Sequence, residues 1–107
     1  MGTFKLFNKN GKWNFNLLAG NNEPILHSEI YESKKAAENG IESVVKNSKR
    51  DGAFEVKEAK NGQIYFVLKS TNGQIVGQSE MYKSQSGCKN GIESVQKNAV
   101  SAKVVEA

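Results

Sequence analysis

His27 is the one imidazole in the chain and Cys88 the one thiol. A histidine that binds metal or moves protons needs company: a second ligand, or a nucleophile whose proton it can take. With no second histidine and no cysteine cluster, His27 is read as an ordinary strand residue. Cys88 cannot close an intrachain disulfide, and such a thiol most often serves as a small core side chain. Glu42 and Glu93 form a symmetric carboxylate pair of the kind that shares acid–base work. Each, however, stands four residues before a lysine, Lys46 or Lys97. That is the spacing of a helix-face ion pair worth about 0.2–0.5 kcal/mol. Tyr31 and Tyr82 sit two residues before serines, where a ring packs over the start of a helix and leaves its hydroxyl in water. No glycine-rich phosphate loop, nucleophile elbow or metal-binding helix is spelled. The expectation is a non-enzyme, with no catalytic residue, no cofactor and no metal ligand assigned.

Behind these residues lies a repeat. Asn39-Gly40-Ile41-Glu42-Ser43-Val44 returns as Asn90-Gly91-Ile92-Glu93-Ser94-Val95, and residues 10–47 match 61–98 at 17 of 38 positions. Self-similarity at a fixed spacing marks a duplicated structural unit. The halves are residues 1–50 and 51–101, joined at Lys49-Arg50-Asp51-Gly52 with no proline- or serine-rich linker. Halves joined so tightly are expected to share one core, so residues 1–107 are taken as a single domain.

Each half opens with strands. Phe4 and Leu6 alternate in Thr3–Phe7, and Trp13, Phe15 and Leu17 alternate in Lys12–Ala19. A period of two suits a half-buried strand. Asn10-Gly11 between them tolerates the positive φ angles of a type I′ turn. Asn21-Asn22 turns the chain again, and Pro24 opens a third strand to about Ser28; proline suits a strand start because it donates no ladder hydrogen bond. The second half repeats the design around Phe54 and Val56, then Asn61-Gly62, then Ile64, Phe66 and Leu68, then Asn72-Gly73 and Ile75–Ser79.

A helix follows in each half, with Ser33 and Ser84 as N-caps. Ala37, Ile41, Val44, Val45 and Ser48 cluster on one face, as do Cys88, Ile92, Val95, Gln96 and Ala99. Gly40 and Gly91 edge those stripes at a helix-interior cost of about 1 kcal/mol each. Something close by is expected to leave no room for a β-carbon. Asn47 and Asn98 are expected to close the helices in the left-handed conformation. Asn39 and Ser43, with Asn90 and Ser94, fall on the outer face. A hydrogen bond between the two, or recent duplication, would explain them; a contact surface formed twice is the sharper alternative. After the second helix, residues 102–106 lie over 51–55 at the repeat offset. This predicts one further strand, and a sheet in which each half is completed by the strand after its helix.

The chain carries 15 Lys plus Arg against 11 Asp plus Glu, a net charge of +4 spread over both halves. Such a balance permits nucleic-acid contact without demanding it. No apolar run approaches a membrane span, the N-terminus lacks a signal-peptide pattern, and Leu6 stands where a myristoylation motif wants Ser or Thr. A cytoplasmic, monomeric protein is expected.

The motif Ser-Glu-X-Tyr-X-Ser at Ser28–Ser33 and Ser79–Ser84, followed each time by Asn-Gly-Ile-Glu-Ser-Val, resembles the YegP-like family, bacterial proteins of unknown function. The resemblance spans both halves. It implies an α+β fold: tandem β-β-β-α(-β) units forming one mainly antiparallel sheet, two helices on one face, and last strands exchanged between units. Some members carry a single unit and pair as dimers, so a two-unit chain resembles a fused pseudo-dimer. The family supplies no catalytic or cofactor-binding residue to carry over. Pro24 has no counterpart in the second half, and Gln96 replaces Val45.

If the helices cover the Phe15 and Phe66 side, the other side of the sheet shows Phe7, Asn14, Asn16, Leu18, Tyr65, Val67 and Lys69. Two kinds of partner suit such a face: another protein, or single-stranded nucleic acid stacking on the aromatics. Protein binding leads, weak salt-sensitive nucleic-acid binding follows, and an enzyme is the remote third.

Overall fold

The computed structural model describes residues 2–50 and 52–107. Met1, and Asp51 within the expected joint, lie outside the described residues. The elements run β1 (Thr3–Lys9), β2 (Lys12–Leu18), β3 (Pro24–His27), α1 (Lys34–Ser48), β4 (Phe54–Glu58), β5 (Ile64–Lys69), β6 (Ile75–Gln78), α2 (Gln85–Ala99) and β7 (Lys103–Glu106). All seven strands form one sheet in the order β4-β5-β6-β3-β2-β1-β7. The two meanders meet where His27 of β3 pairs with Gln78 of β6. β7 is the parallel member, lying outside β1 with Phe4 opposite Val104.

Local chemistry explains the meanders. Asn10 and Gly11 both take positive φ, 55° and 81°, as a type I′ hairpin requires. The second half turns differently. Gly62 alone is positive at 85°, and the Ala59 amide donates to the Gln63 carbonyl across a longer loop. Both halves slip register at one place, between Leu17 and Leu18 and between Leu68 and Lys69.

The helices start as the serines dictate: Ser33 Oγ accepts from the Ala36 amide at 3.1 Å, and Ser84 Oγ from the Gly87 amide at 3.0 Å. Their ends differ from expectation. Asn47 and Asn98 do not adopt the left-handed conformation; each stays in its helix and turns its amide back to the Ser43 or Ser94 carbonyl at 2.8 Å. A right-handed Lys49 closes α1, while Asn47 Oδ1 accepts from Arg50, whose guanidinium also donates to the Lys69 carbonyl. That contact ties the end of the first repeat to β5 of the second.

Both helices lie on one face of the sheet and straddle the seam: α1 packs on β2, β5 and β6, and α2 on β5, β2 and β3. Beneath them Phe4, Phe15, Leu17, Leu26, Phe66 and Leu68 are fully buried with Val44 and Val95. Phe4 meets Phe15 edge-on at 5.8 Å, and Phe54 meets Phe66 the same way at 5.5 Å. The fully buried rings, Phe4, Phe15 and Phe66, each contribute about 1.5–3 kcal/mol by leaving water.

Candidate interaction surface

The residues with chemical potential do not converge. Cys88 is buried in the core, and burial pushes its thiol pKa up, away from the thiolate a nucleophile needs. Glu42 and Glu93 are exposed, and the pairs expected with Lys46 and Lys97 are absent from the ion pairs among the described residues, because fully wet side chains gain little by meeting. Among the described residues no three His, Cys, Asp or Glu side chains are grouped to hold a metal ion. Ser43 does not bond Asn39 as expected. Its partner is Asn47, one turn further along, with Asn47 Nδ2 donating to Ser43 Oγ at 3.1 Å; Asn98 and Ser94 repeat the contact. Asn39 itself stays exposed beside Glu42 and Lys46.

Tyr31 and Tyr82 reach further than the starts of their helices. Their rings stack on Phe15 and Phe66, at 6.1 and 6.3 Å and within 10° of parallel. They pass over the helix interior at Gly40 and Gly91, where an added β-carbon would lie 2.8 and 2.6 Å from the tyrosine Cζ. This is the crowding that the paired glycines implied. Burial raises both phenol pKa values.

On the side of the sheet away from the helices, ladder pairing lines up Glu55, Val67, Gln78, His27, Asn16, Lys5 and Val105 in one row across all seven strands. His27 sits at its middle. Nδ1 is 2.9 Å from Asn16 Oδ1 and Nε2 is 3.1 Å from Glu80 Oε2, so both ring nitrogens face acceptors. A ring engaged at both nitrogens has none free to take a substrate's proton. Three of the basic groups here have partners, while Lys9 and Lys103, on the same face, are exposed. Lys69 pairs with Glu55, Lys57 lies 3.6 Å from the same carboxylate, and Lys5 Nζ rests 5.9 Å from the Phe7 ring centre. The hydrogen bond from Lys69 holds the Glu55 carboxyl below its ordinary range.

Two apolar residues went unread in the sequence. Ile30 is 66% exposed and Met81 45%. They are counterparts at the repeat offset, each next to the tyrosine bridged to β2 or β5 (Tyr31 to Trp13, Tyr82 to Ile64). Both lie in the non-strand residues that lead from the third strand of their repeat to the tyrosine bridge. The signal was available: both halves keep an apolar residue between Glu and Tyr.

A family model described as a domain of unknown function, DUF1508, matches residues 8–55 and again residues 59–106. The chain belongs to this family. Each DUF1508 unit closes with strand residues that follow its helix, β4 in the first and β7 in the second. A UPF0339 protein of Pseudomonas aeruginosa is 58% identical over 89 residues, 83% of this chain and 81% of that one. The UPF0339 protein YegP of Yersinia pestis is 52% identical over 93 residues, 87% and 83% of the two chains. The solution NMR structure of YegP from E. coli, described as a protein of unknown function, superposes with a TM-score of 0.91. It is 44% identical and covers 98% of this chain and 91% of its own. The resemblance read from the repeated motif is thereby borne out, and with it the tandem α+β architecture. No helix of the described residues is long and apolar enough to cross a membrane.

Proposed function

We propose that this DUF1508 protein is a non-catalytic protein-binding module, a cytoplasmic monomer whose two repeats form one domain. The observation that carries the reading is the placement of Ile30 and Met81. Apolar side chains this exposed, set at equivalent places in the two repeats, offer a contact that gains by leaving water, about 25 cal/mol per Å² covered. The non-enzymatic part is supported by His27, whose two nitrogens are engaged, and by Cys88, whose burial keeps it a thiol. Nucleic acid suits the helix-free face less, because Lys69 and Lys57 already share Glu55 and Lys5 lies over Phe7, which leaves Lys9 and Lys103 for phosphate. Phosphate contacts need free cations.

The test is affinity capture with the wild-type chain and with the Ile30→Asp, Met81→Asp double variant. A stoichiometric protein held by the first and lost by the second, at equal melting temperature, supports the reading; equal capture by both overturns it. In gel shift with single-stranded RNA and DNA at about 50 mM salt, where phosphate contacts are strong, no retardation is expected. Retardation there would favour nucleic acid instead.

A further inference from the structure

The two repeats end unequally. In the first, β7 covers the outer edge of β1: the amides of Lys103 and Ala107 donate to the carbonyls of Gly2 and Leu6, at 3.3 and 2.8 Å. Val104 reaches the cleft beside Ile41 and Val45 of α1, and Glu106 pairs with Lys34 at the start of that helix. In the second, β4 is the last strand of the sheet, and no strand of the described residues lies outside it. The Lys69 amide donates inward to the Ala53 carbonyl. By alternation, the backbone groups of Phe54 and Val56 point outward unpaired.

The side chains tell the same story. Leu6 opposes Phe15 as Val56 opposes Phe66, so the two occupy equivalent places. Leu6 is 1% exposed and Val56 50%. Between β4 and α2 runs an open groove of about 630 Å³, lined by Val56, Gln85, Ser86, Lys89 and Ile92. Glu55 and Lys57, the charges that would guard such an edge, are drawn to each other and to Lys69 on the opposite face. On the helix side the edge shows Phe54 and Val56, facing Ile92 and the polar Gln85, Ser86 and Lys89 of α2 across the groove.

We infer that the β4 edge is a receptor for an extended segment of another protein, added parallel to β4 as β7 is added to β1. This rests on the protein-binding reading and gives that reading a partner class. The molecule carries its own template for the occupant. Transposing the β7 register sets the segment's first residue opposite Ala53, its second opposite Phe54 and its fourth opposite Val56. The second is β-branched and apolar, filling the groove against Ile92 as Val104 fills the cleft by Ile41. The fourth is acidic, as Glu106 is, with Lys89 in the groove to receive it. A second copy's β7 is not the occupant: each chain has one, and lending it bares the lender's β1 for no net strand gained.

The probe is a synthetic peptide of this chain's own Ser101–Ala107 sequence, added to the isotope-labelled full chain. Expected are shifts and slowed hydrogen exchange at the Phe54 and Val56 amides, with Phe4 and Leu6 unchanged. In the β7 geometry the Val105 amide faces the receiving strand and the Val104 amide faces away. N-methylation at Val105 should therefore abolish the shifts, and at Val104 preserve them. Lys89→Glu, at an exposed position in the groove, should weaken binding about tenfold without lowering the melting temperature. The inference is overturned by silence at about 1 mM peptide, by shifts confined to Phe4 and Leu6, by equal loss from both methylations, or by self-association through β4. Such a failure would leave capture through Ile30 and Met81 untouched, so the two readings fall separately.

Discussion

Leu26 fills the space that a side chain at Gly77 would need: a β-carbon on Gly77 would lie 2.7 Å from Leu26 Cδ2. The two are counterparts at the repeat offset, on the strands that meet at the seam of the sheet. Near a pseudo-twofold axis, equivalent side chains compete for one volume, and a duplicated leucine cannot fit twice. Gly77→Leu should destabilise by about 1–3 kcal/mol or more through overpacking. The exchange variant Leu26→Gly, Gly77→Leu should recover much of that loss. Urea unfolding of the three variants measures it, and a double variant no better than Gly77→Leu alone would show the crowding to lie elsewhere.

Gly91→Ala tests the stacked tyrosine. Alanine gains about 1 kcal/mol of helix propensity over glycine, yet its methyl would strike a ring held flat on Phe66. The clash should win, giving a net loss of about 1–2 kcal/mol. In the Tyr82→Ala background the same substitution should become stabilising. A double-mutant cycle reads the change of sign, and Gly40 with Tyr31 should behave alike.

Removing residues 102–107 strips β7 from β1 and opens Phe4 and Leu6 to water. Val104 is half-buried, and the ladder bonds are worth about 1 kcal/mol each net, so about 2–4 kcal/mol should be lost. Residues 1–50 alone should fare worse, since α1 packs on β5 and β6 of the other half. The fragment is expected to unfold or pair with itself. Circular dichroism with sedimentation checks this; a cooperative, monomeric 1–50 would refute the shared core.

The titration pattern is lopsided. Burial raises the pKa of Tyr31, Tyr82 and Cys88, and the hydrogen bond to Glu106 raises that of Lys34. A group that holds its proton more tightly when folded stabilises fully below its unfolded pKa and loses that contribution as pH rises through the folded one. Glu55 has the opposite sign: its lowered pKa helps above the ordinary carboxylate value and is lost as pH falls through the folded one. It is exposed and contributes little. Melting temperature should therefore fall above about pH 9, where thiols and then phenols ionise, and hold nearly flat down to about pH 5. Thermal melts across that range, repeated with Tyr31→Phe, Tyr82→Phe and Cys88→Ala, should show the alkaline slope flatten. An unchanged slope would remove these groups as its cause.

The sequence alone carried the tandem units, the alternation of Phe15 with Leu17 and of Phe66 with Leu68, the serine caps and the glycines awaiting a close neighbour. Each is written in residues near one another, because backbone dihedrals and capping bonds are local. Asn47 was misplaced for a related reason. A terminal asparagine can close a helix or bond backward, and both Asn47 and Asn98 bond backward to the serine one turn earlier, although only Asn47 has an arginine against it. Tertiary structure alone settled that β7 pairs with β1 from the far end of the chain, that Leu26 excludes a side chain at Gly77, and that Val56 is bare where Leu6 is covered. Those facts depend on which distant edges and volumes remain free once everything else has packed, and short-range periodicity holds no record of that.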